Sequence, residues 1–249
     1  NMRNNILLLM ILLSMFFSCQ KESEMEWEAP VMEQVGFSFE SGNYSNVPLV
    51  YRKAEIFHSL QEKAALVIYL HGGSSKGNDN TTQMKESAID SISNYLTSRK
   101  INSIVLVPQC PSDRSWGGAM NEALKALIDE YAFDGTIDTN RIYIMGGSMG
   151  GSGTWNMVSS YPNLFAAAMP VAGNPAKCNA LQVATTPIFT VMGTADEIMN
   201  ISTVTDFCNQ LRSAGGEVEM ETEEGWNHET TCIKSFTAAR LDWIFAHYK

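Results

Sequence analysis

Basic residues are scarce in this chain: 17 lysines and arginines stand against 27 aspartates and glutamates, a formal net charge of -10. That balance argues against nucleic acid as a partner and against an electrostatic grip on anionic lipid. Histidine is also sparse, at 4 residues. None of the cysteines has metal-ligand spacing with a histidine, so no structural zinc is expected, and no cofactor is called for. Internal repeats and low-complexity tracts are missing, which removes solenoid and fibrous classes. The apolar run Ile6 to Phe17 is too short to span a bilayer comfortably.

That run reads instead as a targeting segment. Arg3 precedes it and Ser18-Cys19 ends it, a pattern that resembles a bacterial lipoprotein signal, with Phe16 and Phe17 standing where such signals carry a leucine and a small residue. Residues 1–19 are therefore expected to be a leader cleaved before Cys19, whose thiol is acylated. Residues 20–34 are polar and acidic and suit a tether. The expected location is exported, with the membrane reached by the lipid anchor alone. Residues 35–249 are of a size for one α/β domain with a full core. Cys110, Cys178, Cys208 and Cys232 fall within it. Export permits disulfides among them, but four cysteines allow three pairings and the sequence does not choose.

Within 35–249 the hydrophobic pattern alternates between strand and helix. Val35 to Ile56 has turn-punctuated alternating segments that predict opening antiparallel strands. Ala65 to Leu70, ALVIYL, is a continuous apolar run of the kind buried on both faces in a parallel sheet. A helical face at Met84, Ala88, Ile92 and Leu96 follows, then a strand over Ser103 to Pro108 and a helix marked by Leu124, Leu127, Ile128 and Tyr131. Further strands are predicted at Ile142 to Met145, Phe165 to Val171, Pro187 to Met192 and Glu217 to Glu221. Helices are predicted over Thr154 to Tyr161, around Val204 to Leu211, and at the end with Trp243 and Ile244. The order implies a mostly parallel central sheet flanked by helices.

Chemistry enters at RIYIMGGSMGGSG, residues 141–153. Gly146, Ser148 and Gly150 form G-x-S-x-G, the nucleophile elbow, in which a tight strand-to-helix turn tolerates only small neighbours and exposes the hydroxyl at a helix N-terminus. The Met149 N–H is a natural oxyanion donor there. His71-Gly72-Gly73 ends the ALVIYL strand, and its glycines let backbone N–H groups approach a developing oxyanion. Gly73 is taken as the second donor, with Gly72 and Ser74 as alternatives. His71 is expected to hold its own loop together rather than act as base.

A serine hydroxyl needs a base within hydrogen-bond reach and an acid to fix that base's tautomer. On a sheet of this kind the chain order is serine, acid, histidine. Only His228 and His247 follow Ser148; His247 closes the last helix, whereas His228 lies in EGWNHET after a strand. Asp196 in MGTADEIM follows the preceding strand and is the expected acid, with Glu197 as runner-up. Trp116 and Trp226 are placed near the pocket, either as stacking faces for a sugar or aromatic ring or as ordinary packing.

RIYIMGGSMGGSGTW, the HGG loop followed by GNDN, PQCPSDRSW and GTADEIM together resemble the α/β-hydrolase superfamily. Within it the chain is similar to bacterial esterases and predicted peptidases related to dienelactone hydrolases, polyhydroxyalkanoate depolymerases and feruloyl or acetylxylan esterases. The resemblance spans nearly all of Leu49 to Lys249 and implies Ser148, Asp196 and His228 as a triad, with Gly73 and Met149 as oxyanion donors. It departs at Asn227, where the family more often shows glycine. Only Ala172 to Thr186 separates the sixth strand from the next, too short for a helical lid. The expected function is an exported serine esterase acting without cofactor or metal on short acyl or hydroxycinnamoyl esters, with carbohydrate as the alcohol side. A serine peptidase and a non-catalytic surface-anchored binding module are the rivals.

Overall fold

The computed structural model describes residues 35–249. The expected leader over residues 1–19, Cys19 with it, and the expected tether over residues 20–34 lie outside the described residues. Among the described residues no helix is long and apolar enough to cross a membrane.

The domain opens with the hairpin of β1 (Ser38–Tyr44) and β2 (Val47–Ile56). Ser45 and Asn46 turn it with φ of 50° and 63°, the pair of positive values that a two-residue hairpin matched to strand twist requires. The remaining strands are β3 (Ala64–Leu70), β4 (Ser103–Gln109), β5 (Ile137–Gly147), β6 (Ala167–Val171), β7 (Ile188–Gly193) and β8 (Val218–Glu223). They form one sheet in the order β1-β2-β4-β3-β5-β6-β7-β8. β2 runs antiparallel to both neighbours and every later pairing is parallel.

Alternation along β3 decides what covers the sheet. Leu66, Ile68 and Leu70 point into one apolar layer with α2 (Ala119–Phe133), α3 (Met149–Ser160) and α5 (Ile201–Ser213), through Leu124, Trp155 and Phe207. Ala65, Val67 and Tyr69 point into the other, with α1 (Ser87–Ser98) and α7 (Ala238–Phe245), through Ile92 and Leu241. Every residue of β3, β4, β6 and β7 is buried, as continuous apolar runs in a doubly covered sheet should be. Burying one such side chain contributes roughly 1.5–3 kcal/mol, so a charge on either face of β3 is not tolerated.

Two segments differ from the sequence reading. Met84, predicted on the first helical face, lies in a one-turn 3-10 helix ahead of α1; α3 begins at Met149, where the elbow reading puts the helix N-terminus, and its glycines, poor helix formers by propensity, are held helical by backbone packed against them. EGWNHET contributes the start of a short helix, α6 (His228–Lys234), capped by Asn227, whose Oδ1 accepts from Thr230 N at 2.8 Å. The connection between β6 and β7 carries only the one-turn helix α4 (Ala180–Val183), and no large lid is present among the described residues. Cys110, Cys178, Cys208 and Cys232 form no disulfides.

Candidate active site

The strand β5 delivers Ser148 into a sharp turn at φ 57°, ψ −119°, a region L-residues rarely occupy. Its neighbours explain the glycines. A Cβ on Gly146 would come within 2.6 Å of Gly150 and Leu70 backbone atoms, and one on Gly151 within 2.3 Å of Val171 O. G-x-S-x-G-G is thus the imprint of helix α3 starting in contact with the ends of β3 and β6. Ser148 N donates to Val171 O at 3.0 Å, fastening the turn to β6.

Asp196 lies on the turn after β7. Its Oδ1 accepts from the N–H groups of Ile198 at 2.9 Å and Met199 at 2.8 Å, leaving Oδ2 to meet His228 Nδ1 at 2.9 Å. The Asp196 side chain is 1% exposed and that of His228 13%. On the far side of the ring, His228 Nε2 stands 2.7 Å from Ser148 Oγ. With the Asp196 carboxylate accepting, Nδ1 carries the proton and Nε2 offers its lone pair to the serine hydroxyl. Glu197, the runner-up, is exposed and makes no such contact.

His228 reaches this position because the β8–α6 loop crosses the end of β7 at close range. A Cβ on Gly193 would meet Trp226 O at 2.1 Å, and Ala195 N donates to that same oxygen at 3.0 Å. Gly193 was not singled out from sequence, although its place just after a buried strand is the available signal. Asn227, where the resemblance departs, supplies a side-chain cap that a glycine lacks.

On the opposite side of Ser148, the HGG loop is fixed by side chains. Cys110 N donates to His71 Nε2 at 2.9 Å, so Nδ1 holds the proton and donates to Gly72 O at 2.6 Å. Burial lowers the His71 pKa and keeps the ring neutral. As expected from sequence, His71 serves the loop and not the serine. Gly72 N is already engaged, donating to Glu86 Oε1 at 2.7 Å. The N–H groups of Gly73 and Met149 have no hydrogen-bond partner among the described residues. The GNDN stretch is a buckle: Asn80, at φ 52°, donates to Tyr51 O and receives from Gln83, while its N–H and the Asp79 carboxylate both engage Gln109.

The two tryptophans separate. Trp116 is 5% exposed, donates from Nε1 to His71 O at 3.0 Å and packs edge-on to the His71 ring. It lines a cavity at Ser148. Trp226 lines neither of the two cavities that include Ser148. Its ring is covered by the cations of Lys234 at 5.8 Å and Arg240 at 5.9 Å, and Arg240 pairs with Glu221 and Glu223. The structure thus keeps Trp116 beside the pocket, where it also supports the HGG loop, and sets Trp226 against Lys234 and Arg240, away from the two cavities that include Ser148.

Two cavities meet at Ser148 and Gly73. The smaller, about 370 Å³, is bounded by Trp116, Met149, Ser152, Asn156, Asn174 and Met199. The larger, about 760 Å³, is bounded by Tyr69, Glu86, Ile198, His228, Cys232 and Ile233. Only the larger of the two includes His228.

The sequence model of the phospholipase/carboxylesterase family matches residues 107–240, which carry the elbow, the acid and the histidine. The chain belongs to this family. Among similar proteins, a poly(3-hydroxyalkanoate) depolymerase C of Paucimonas lemoignei is 37% identical over 68 residues, covering 27% of this chain and 16% of that protein. A bifunctional acetylxylan esterase/xylanase of Neocallimastix patriciarum is 35% identical over 86 residues, covering 34% and 13%. The chain spans less than a third of the length of the curated relatives it matches. Among solved structures, a thermostable esterase superposes with a TM-score of 0.76 at 26% identity, over 86% of this chain and 63% of that one. A ferulic acid esterase superposes with a TM-score of 0.67 at 13% identity, over 86% and 98%, a likeness of fold alone. The α/β-hydrolase fold expected from the motifs is thus the fold of the family.

Proposed function

We propose that this protein is an exported serine esterase that hydrolyses short acyl or hydroxycinnamoyl esters of carbohydrate. The observation that carries the proposal is the continuous chain from Asp196 Oδ2 to His228 Nδ1 at 2.9 Å and from His228 Nε2 to Ser148 Oγ at 2.7 Å. In the proposed cycle Ser148 Oγ attacks the ester carbonyl carbon while His228 takes its proton. The tetrahedral oxyanion is held by the N–H groups of Gly73 and Met149, and His228 returns the proton to the departing alcohol oxygen. Water repeats the sequence on the acyl-enzyme.

The same Nε2 serves nucleophile and leaving group, so the alcohol must lie on the His228 side. The cavity of about 760 Å³ is then the alcohol side, and that of about 370 Å³ the acyl side. The acyl side sets Trp116, Met149 and Met199 beside Ser152, Asn156 and Asn174. An apolar ring with a polar rim fits such walls better than a long alkyl chain. The relatives named for acetylxylan esterase activity support the same class. Export and acylation at Cys19 rest on the leader pattern, and Cys19→Ser should shift the protein from the membrane fraction to the soluble one.

The test is a panel of aryl, acetyl, feruloyl and long-chain esters, with an anilide in parallel. Highest kcat/KM on acetyl or feruloyl esters is expected, and Ser148→Ala should abolish both turnover and fluorophosphonate labelling. Higher kcat/KM on long-chain esters would replace the substrate class, and labelling that persists in Ser148→Ala would remove Ser148 as nucleophile.

A further inference from the structure

Glu86 occupies the N-cap position of α1, yet its side chain makes no capping bond to that helix. It reaches the HGG loop instead. Oε1 accepts from Gly72 N at 2.7 Å and from Ser75 Oγ at 2.8 Å, and Oε2 accepts from Tyr69 Oη at 2.7 Å. A carboxylate within the wall of the site repels a developing oxyanion, so its placement calls for a reason other than charge.

The hydrogen bonds of two successive peptides supply one. The peptide joining His71 to Gly72 is held at its oxygen by Trp116 Nε1 at 3.0 Å and at its N–H by Glu86 at 2.7 Å. The peptide joining Gly72 to Gly73 is held at its oxygen by His71 Nδ1 at 2.6 Å and Ser75 N at 3.2 Å. Of the four polar ends, only the Gly73 N–H is unengaged among the described residues. In a planar trans peptide the N–H points opposite to its C=O, so fixing the Gly72 oxygen and the preceding N–H fixes the direction of the Gly73 N–H. Paired glycines left to themselves are the least constrained backbone available.

We infer that Glu86 is a positioning residue, clamping the HGG loop so that the Gly73 N–H is preorganised for the oxyanion. The inference rests on the esterase reading above. It accounts for an acid that neither caps its helix nor belongs to the Asp196–His228–Ser148 chain, and it assigns Trp116 to the same clamp from the carbonyl side. Preorganised donors act mainly in the transition state, so the clamp should appear in kcat and not in KM.

The experiment compares wild type, Glu86→Ala and Glu86→Gln on an acetyl aryl ester at a temperature well below each melting transition, with the inhibition constant of phenylboronic acid, which forms a tetrahedral adduct on a serine oxygen. Loss of a whole oxyanion donor lowers kcat about 100- to 1,000-fold, so a misaimed one in Glu86→Ala should lower it about 10- to 100-fold, with KM within about threefold. The boronate constant should weaken in parallel. Glu86→Gln keeps an oxygen for Gly72 and Ser75 while Tyr69 turns its hydroxyl to accept, so most of the rate should return. A fall in melting temperature with kcat and boronate affinity unchanged would overturn the inference, as would Glu86→Gln as slow as Glu86→Ala. Should Glu86→Ala fail to fold, Glu86→Asp withdraws the carboxylate by one methylene, and wild-type kcat in it would be equally fatal. Wild-type protein that turns over no ester and binds no boronate would remove the esterase reading and this one with it, whereas turnover unaffected by Glu86→Ala would remove this one alone.

Discussion

Replacing Gly150 by alanine pits local propensity against packing. Within a helix such a change is worth about 1 kcal/mol of stabilisation by propensity. Here the added Cβ would stand 1.8 Å from Leu70 O, 2.5 Å from Leu70 C and 2.8 Å from His71 O. Ordinary contact begins near 3.4 Å, so the start of α3 and the end of β3 must part by the difference, about 1.6 Å. All three obstacles are backbone, and no side-chain rotation relieves them. Overpacking of a well-packed site costs about 1–3 kcal/mol, and a backbone obstacle belongs at the upper end or beyond it. For a domain of this size that is a fall in Tm of roughly 6–12 °C. Molecules that fold would hold Ser148 and the HGG loop apart by a similar displacement, and a misplacement of about 1 Å is enough to lose about 100-fold in rate. Thermal melts and aryl-ester kinetics measure both, with Gly36→Ala as control because nothing lies within 4 Å of its added carbon. A Gly150→Ala protein melting within about 2 °C of wild type, with kcat/KM within about threefold, would refute this account of the elbow.

Other expectations follow from the same geometry. Asp196→Asn should lower kcat by about 10,000-fold through the wrong histidine tautomer while leaving the melting curve in place; Glu197→Gln should stay within a few-fold, and the reverse outcome would move the acid by one residue. Burial, with Glu86 and Asp196 adding to it, pushes the Cys232 thiol up to about 12. The thiol is therefore protonated through pH 9, and iodoacetamide should modify it far more slowly than a free cysteine, with the rate rising only as pH approaches that value; rapid modification at pH 8 would contradict it. Trp226→Ala should destabilise the packing around Arg240 yet leave ester KM within about twofold, so a large rise in KM would return Trp226 to the substrate path.

Much of the fold was legible because both of its periodicities are simple. ALVIYL is apolar throughout since β3 is covered on both faces, and the helical stripe at Ala88, Ile92 and Leu96 faces the same layer as Tyr69. Ser148, Asp196 and His228 could be nominated from chain order, and the structure brings their side chains together. What stayed hidden depends on contacts distant in sequence. The helical state of Gly150 and Gly151 follows from backbone pressed against them, which propensity does not contain. Glu86 lies 14 residues from Gly72 and carries no motif. Trp226 stands two residues before His228, but the loop turns between them and sends its ring toward Arg240.

Ser148 itself, at φ 57° and ψ −119°, has a consequence for how such a chain evolves. A non-glycine residue held there costs about 1–3 kcal/mol, a strain that glycine escapes, so Ser148→Gly should melt above Ser148→Ala. With Ser148 as the proposed nucleophile, selection for turnover and selection for persistence pull this one codon in opposite directions. A descendant freed from catalysis has a downhill path to glycine at the elbow, and its serine would be expected to vanish early, before the histidine or the aspartate, whose places in the backbone are unstrained.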